Sequence, residues 1–316
     1  MKSALSALAA ALAFASGPAL AQVFVDTSQQ GSGNKSNVEQ RESKDHAQVT
    51  VTQIGTGNVI GDPALGESGI VQIATVAGVN VRQEGRANYA NILQDHTDRS
   101  DNNMLQIGQG NVAVFRQDNA NSSTLTLEQR GSANYTSINQ KDIPTFSVRA
   151  RQTGADNRIV VQHYFSGYGG PDIEQAGSAN KVLIDQSEAA YSFVRVDQAG
   201  TMNDAYVRQH GTTFTVNQSI VQRGERNVAR ADESGQVNGS TIVQTGNENL
   251  ASATSTLNGS VSEIVQTGSY NRATAVQNGA LSWTSGNFSS ITQTGNAFTA
   301  GVLQNGSGNV SIINQR

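Results

Sequence analysis

The sequence predicts an all-β chain, a β-solenoid of about 12 stacked strand–turn–strand repeats that becomes cross-β on assembly. Three observations carry this expectation. Gln-x-Gly-x-x-Asn occurs twelve times, beginning at Gln29, Gln53, Gln83, Gln106, Gln129, Gln152, Gln175, Gln198, Gln222, Gln244, Gln266 and Gln304, mostly about 23 residues apart. Apolar and polar residues alternate on both sides of each motif, the period of a half-buried strand. Composition supplies the third: 36% hydrophobic residues with 32 Gly and 4 Pro leave little apolar surface for thick globular cores. Such polarity also suits a disordered chain, but the strict period and regular aliphatic positions argue against disorder.

Residues 1–21 stand apart. Lys2 precedes an apolar run over 4–20 that closes on Ala19-Leu20-Ala21. A charged start, an apolar stretch and an A-x-A site predict a secretory signal peptide. The expected organisation is therefore a signal peptide over 1–21 and one repeat domain over 22–316. No later segment approaches the length of a membrane span. Losing Lys2 takes the formal charge from −4 to −5, so no basic field points to nucleic acid. Cysteine is absent, so strand pairing and side-chain packing must supply all rigidity in an exported chain.

Within one repeat, residues 123–140 read as two strands. Ser123, Leu125, Leu127 and Gln129 share a face of the first; Asn134, Thr136, Ile138 and Gln140 share a face of the second. Gly131 lies in the link, where Gly accepts a positive φ without a Cβ clash. Gly31, Gly108, Gly200 and Gly306 take the same turn position elsewhere. The inward code recurs, with Gln29, Asn34 and Gln40 in the first repeat and Gln304, Asn309 and Gln315 in the last. Gln106, Asn111 and Gln117 belong to it, as do Gln198, Asn203 and Gln209. One rung cannot bury its own inner face, but stacked rungs can. At a strand spacing of about 4.8 Å, twelve rungs make a rod of roughly 55–60 Å. Identical side chains then lie over one another, and stacked amides hydrogen-bond along the stack, which offsets the cost of burying them. These columns are the expected self-assembly residues.

Breaks in the code are informative. Ala64, His163, Glu233 and Ser255 are expected where a closing Gln should be, and Phe146 and Val216 where an opening Ser should be. A degraded copy at Gln293 keeps Gly295 but has Phe298 for Asn. Wide spacings around residues 61–66 and 279–286 predict loops bulging from a rung. The aromatic stretch over 164–171 reads as loop filler rather than an adhesive contact. Both ends of the stack are expected to be uncapped, a template for adding another chain. The rungs over 222–258, Ala-lined and lacking closing Gln, are expected to be the weakest. Arg86, Arg130, Arg158, Arg223 and Arg226 beside the turns are expected to slow premature polymerisation.

Catalytic patterns find no foothold. His46, His96, His163 and His210 lack metal-ligand spacing. Asp95, Asp98 and Asp101 with His96 read as a solvated turn. No Gly-x-Ser-x-Gly elbow, Walker loop or calcium-binding nonapeptide repeat occurs. No enzyme activity, cofactor or metal is expected.

The unit Ser-x5-Gln-x-Gly-x-x-Asn-x5-Gln resembles the curlin repeat of bacterial curli fibres. Residues 100–117, 123–140 and 192–209 match at every marked position, and the resemblance covers nearly all of 23–315. It implies a secreted functional amyloid: a homopolymer on the cell surface that supports adhesion and biofilm matrix. It also implies two partners, a homologous nucleator subunit and an outer-membrane export pore. The chain has more repeats than familiar curlins and little room for their polar targeting segment before the first repeat. A monomeric β-solenoid adhesin or a minor nucleator subunit is the alternative. A β-helix enzyme would need paired carboxylates facing one groove, and an ice-binding solenoid a Thr-x-Thr ladder; neither pattern is present.

Overall fold

Alternation with period 2, interrupted every few residues by Gly and Asn, allows strands and corners and little else. A computed structural model describes residues 23–42, 47–61, 69–211, 216–256, 258–279 and 286–316 and has that form, with no helix among them. The predicted signal peptide, His46 and Ala64 lie outside the described residues.

The strands form two parallel sheets, one of 13 strands and one of 14. Each rung places one strand in the first sheet, turns at the Gly corner, and places the next in the second sheet. Two rungs break their second-sheet strand into a pair, Lys35–Ser36 with Val38–Arg41 and Val59–Ile60 with Ile70–Ile73, so the 14 strands represent 14 − 2 = 12 rungs. Pairing is in register, as where Thr124–Ser132 sets Gln129 beside Gln106 on one side and Gln152 on the other. The solenoid expectation therefore holds.

Two assignments need correction. The closing position of the second rung is filled by Gln72, which pairs with Gln40 and Gln94, and not by Ala64. The second-sheet pairing of this rung runs to Gly61 and is taken up again from Gly69, where the Ile70 amide donates to the Asn37 carbonyl at 3.0 Å; the rest of the predicted loop lies outside the described residues. Counting a fixed period across an insertion therefore misplaces whatever follows it. The second correction concerns the last rungs. Gln304 pairs with Gln277 in the second sheet, and Gln315 pairs with Gln293 in the first. Gln304, Gly306 and Asn309 thus belong to the second corner, and Gln293, the degraded copy, is the true first-sheet member. Both strands of a rung end in Gln and both corners can carry Gly-x-x-Asn, so the motif alone does not say which sheet it serves.

The core is a thin double row between the sheets. Its middle rungs are well filled by Leu125, Leu127, Ile138, Ile159, Val161, Ile173, Val182 and Ile184, all buried. Farther along, the first sheet contributes one large aliphatic per strand, at Ile220, Ile242, Ile264 and Ile291. The second offers Ala229, Ala231, Ala251, Ala253, Ala273 and Ala275. At about 0.8 kcal/mol per buried methylene, Ala for Ile or Val removes much of each rung's hydrophobic gain. The span expected to be weakest lies within this lean part of the core.

Candidate assembly ladders

The first corner explains its own sequence. Gly31, Gly55, Gly85, Gly108, Gly131, Gly154, Gly177, Gly200, Gly224, Gly246 and Gly268 hold φ between +109° and +124°. A Cβ on Gly131 would stand 2.0 Å from the Gly154 carbonyl oxygen, so neither the dihedral nor the space admits a side chain. Three residues on, Asn closes the corner. The Asn134 backbone amide and Nδ2 both donate to Asn111 Oδ1, at 3.2 and 3.0 Å, and Nδ2 also donates to the Gly154 carbonyl at 3.0 Å. The Asn column runs from Asn34 to Asn271 on this plan. Phe298 then ends it, still donating its backbone amide to Asn271 Oδ1 at 3.0 Å.

The first-sheet Gln column is unbroken. Thirteen side chains from Gln29 through Gln315 make twelve consecutive bonds, each Nε2 donating to the next Oε1 at 2.6–2.9 Å. Most also donate to a backbone carbonyl at the head of a second-sheet strand, as Gln152 does to Tyr135 at 3.2 Å. Buried amides are tolerated here because donors and acceptors are satisfied together.

The second column follows the same plan with faults. Gln40, Gln72, Gln94, Gln117 and Gln140 are linked at 2.6–3.0 Å. His163 then takes the slot: its Nε2 meets Gln186 Oε1, while Gln140 Nε2 and His163 Nδ1 find no partner. Burial pulls the imidazole down to about 3, so it is neutral at ordinary pH. Gln186 and Gln209 resume the bonding. Glu233 and Ser255 interrupt it again before Gln277 donates to Gln304 at 2.9 Å.

Each expected ladder residue thus lies in a ladder or a corner, with Gln304, Asn309 and Gln315 in the opposite sheet or corner from that expected. Interior members such as Gln106, Asn111, Gln117, Gln129, Asn134, Gln140, Gln198, Asn203 and Gln209 are fully buried; Gln29, Asn34, Gln40, Asn309 and Gln315 on the outer rungs are half-buried. Sequence reasoning missed Gln72 and a partial Asn column at the second corner. There Asn238 Oδ1 accepts from the Ser260 amide at 2.9 Å, and Asn287 Oδ1 from the Asn309 amide at 3.0 Å. The signal was available in Glu233-x-Gly235-x-x-Asn238, which repeats the motif with Glu for Gln.

On parts of the outer face, charges alternate along the stack. Arg151 lies 3.0 Å from Glu128 and 3.9 Å from Glu174. Glu128 also meets Arg130, whose hydrogen bond is the main reason its carboxyl titrates below the usual range, with Arg151 assisting. Arg223 and Arg226 pair with Asp197 and Glu248, and Arg158 lies 4.4 Å from the centre of the Tyr135 ring. An aromatic corner projects Phe165, Tyr168, Tyr191 and Phe193 into solvent, with Tyr168 and Tyr191 stacked at 5.1 Å.

His96 and Asp95 form an exposed pair at 2.6 Å, and among the described residues no three His, Cys, Asp or Glu side chains converge on a metal-sized space. Among the same residues no helix is long and apolar enough to cross a membrane. No family model matches the chain, and no characterised protein resembles it closely enough to lend it a function.

Proposed function

We propose that this protein is the secreted structural subunit of a curli-like extracellular amyloid fibre, growing by templated head-to-tail stacking and supporting adhesion and biofilm matrix. The observation that carries the reading is the unbroken in-register Gln column. Every rung offers the next a strand of the same register and an amide of the same polarity. At the outer rungs of the described stack the columns continue but are half-exposed, at Gln29, Asn34 and Gln40 on one side and Asn309 and Gln315 on the other. Phe24, Val310 and Ile312 are exposed beside them. A strand added in register would bury these groups and pair an open sheet edge. Within the sheets, some outward charges alternate in sign from rung to rung, as at Arg149, Asp172 and Arg195, so that neighbouring rungs there meet as opposite charges. By the resemblance to curlins, export would use an outer-membrane pore and initiation a homologous nucleator.

The test is thioflavin T fluorescence of residues 22–316 with and without preformed seeds, followed by fibre diffraction. A lag abolished by seeds, with reflections near 4.7 and roughly 10 Å, is expected. A β-rich monomer that never seeds would refute the reading. It would favour a monomeric adhesin using the exposed corner of Phe165, Tyr168, Tyr191 and Phe193.

A further inference from the structure

Glu233 occupies a slot built for an amide. It stacks between Gln209 and Ser255 in the second Gln column and is fully buried. Around it the hydrogen bonding fails. Gln209 Nε2, both Glu233 oxygens, both polar atoms of the Gln218 amide and the Ser240 hydroxyl are buried without a partner. These groups come from three different rungs and both sheets. No comparable concentration of unpaired polar atoms occurs elsewhere among the described residues.

The protonation state of Glu233 decides how this cluster bonds: the ionised form could accept from Gln209 Nε2, Gln218 Nε2 and the Ser240 hydroxyl, but it would leave Gln218 Oε1 without a donor and hold an uncompensated charge in the core. An ionised carboxylate only accepts; a carboxylic acid has a carbonyl and a hydroxyl, much like a Gln side chain with its carbonyl and amide. The neutral acid can accept from Gln209 Nε2 through its carbonyl, as a ladder Gln would. Its hydroxyl can donate across the core to Gln218 Oε1 or to Ser240 Oγ. No cation is at hand to neutralise the ionised form. On its own strand, Arg230 and Asp232 face outward. Asp204, Arg208 and His210 on the strand below face outward, as do Arg223 and Glu225 on the strand carrying Gln218, and Glu263 farther along the first sheet. The strand above, Leu250–Thr256, and the facing strand, Gly239–Asn247, carry no titratable residue.

We infer that Glu233 is a protonation-controlled latch: as the neutral acid it closes the second ladder between Gln209 and Ser255, and on ionisation it loosens the rungs over 216–256. The location suits a latch, because those rungs have the Ala-lined core and little hydrophobic reserve. Burial pushes the Glu233 carboxyl from 4.5 up to about 7, against the Ser240 and Gln218 donors nearby, which favour the ionised form, and with a small further push from Asp232. Because the folded value is the higher one, folding takes up a proton. The stabilisation is complete below 4.5, falls as pH rises, and is lost above about 7. The interval of 7 − 4.5 = 2.5 units corresponds to a change of roughly 300-fold in the opening equilibrium. Acidification would tighten the rungs and alkali would loosen them. This property belongs to the folded stack, whether it stands alone or within a fibre.

Hydrogen exchange read by mass spectrometry tests it, on wild type and Glu233→Gln at about pH 5 and about pH 8, corrected for intrinsic rates. In wild type, peptides from 216–256 should open roughly 70-fold more at the higher pH, the part of the full range that lies between those two values, while peptides from 124–143 change little. Glu233→Gln should abolish the difference and protect the segment at both values. Equal wild-type protection at both pH values, or a pH dependence that survives in Glu233→Gln, would overturn the inference. A second readout uses wild type alone: infrared spectroscopy should show a protonated, non-exchanged carboxyl band at about pH 6 that vanishes above about pH 8. Its absence at the lower pH would overturn the inference equally. Failure to seed, by contrast, would remove the fibre reading and leave this result standing.

Discussion

Replacing His163 by Gln should stabilise the protein, and more so in acid. The slot lies between Gln140 and Gln186 in a column whose other early members are all Gln. In wild type, Gln140 Nε2 and His163 Nδ1 are buried without partners. A Gln at 163 would accept from Gln140 and donate to Gln186, so the ladder would run without a break from Gln40 to Gln209. Removing an unsatisfied buried group recovers about 1–3 kcal/mol. Against this, the His163 ring stands edge-on to Phe146 at 3.9 Å, a contact whose loss costs about 0.5–1.5 kcal/mol. The net expectation at neutral pH is a gain of about 1 kcal/mol. In acid the margin grows. Burial lowers the folded His163 from 6.5 to about 3, so its stabilisation is present above 6.5 and is lost as pH falls toward 3. The interval, 6.5 − 3 = 3.5 units, is worth at most about 5 kcal/mol, and the Gln variant escapes this loss. Hydrogen exchange of peptides from 135–187 at about pH 4 and about pH 7 measures both effects. If the variant loses protection in acid as steeply as wild type, or is less protected at neutral pH, the account of the ladder is wrong.

Two further predictions concern the corner and the outer face. Gly131→Ala forces a side chain into φ +116° with its Cβ 2.0 Å from the Gly154 carbonyl oxygen. It should cost about 3 kcal/mol or more and expose peptides on both flanking rungs to exchange; an unchanged urea midpoint would contradict the corner geometry. Arg151→Glu places three acids in succession with Glu128 and Glu174, yet the site is about half exposed. The expected loss is about 0.5–1 kcal/mol, shrinking toward zero in about 1 M salt, and a thermal melt that is insensitive to salt would refute it.

The corners were legible because their chemistry is local. Only Gly suits the φ of Gly131, and the Asn three residues later acts through its own backbone amide and those beside it. The first-sheet register followed from them. What the sequence hid is what depends on the path of the chain in space. Gln72 was invisible because an insertion of unknown excursion precedes it. Gln304 and Gln315 were assigned to the wrong sheets because their 11-residue step across the second corner equals the step within a rung, as from Gln106 to Gln117, while most other second-corner steps between Gln residues are longer. Glu233 was legible as a substitution, but its meaning required Gln218 and Ser240, which reach it from the opposite sheet. His163 likewise gained its context from Phe146, two strand ends away in sequence and in ring contact in the fold.

The Gln column has one more consequence, because its bonds all point one way. Each amide carries a dipole of about 3.5 D, like a peptide group, and here thirteen are aligned along one axis. The Asn column opposes it, since Asn134 donates backward to Asn111 while Gln129 donates forward to Gln152. The stack is therefore built of two antiparallel strings of polarised groups, each strengthening its neighbours by induction. Such strings give the body a vector. Two bodies set end to end with the same heading continue both strings; reversed, they would place amide against amide and carbonyl against carbonyl. The side chains alone, before any strand is paired, therefore distinguish a correct junction from an inverted one.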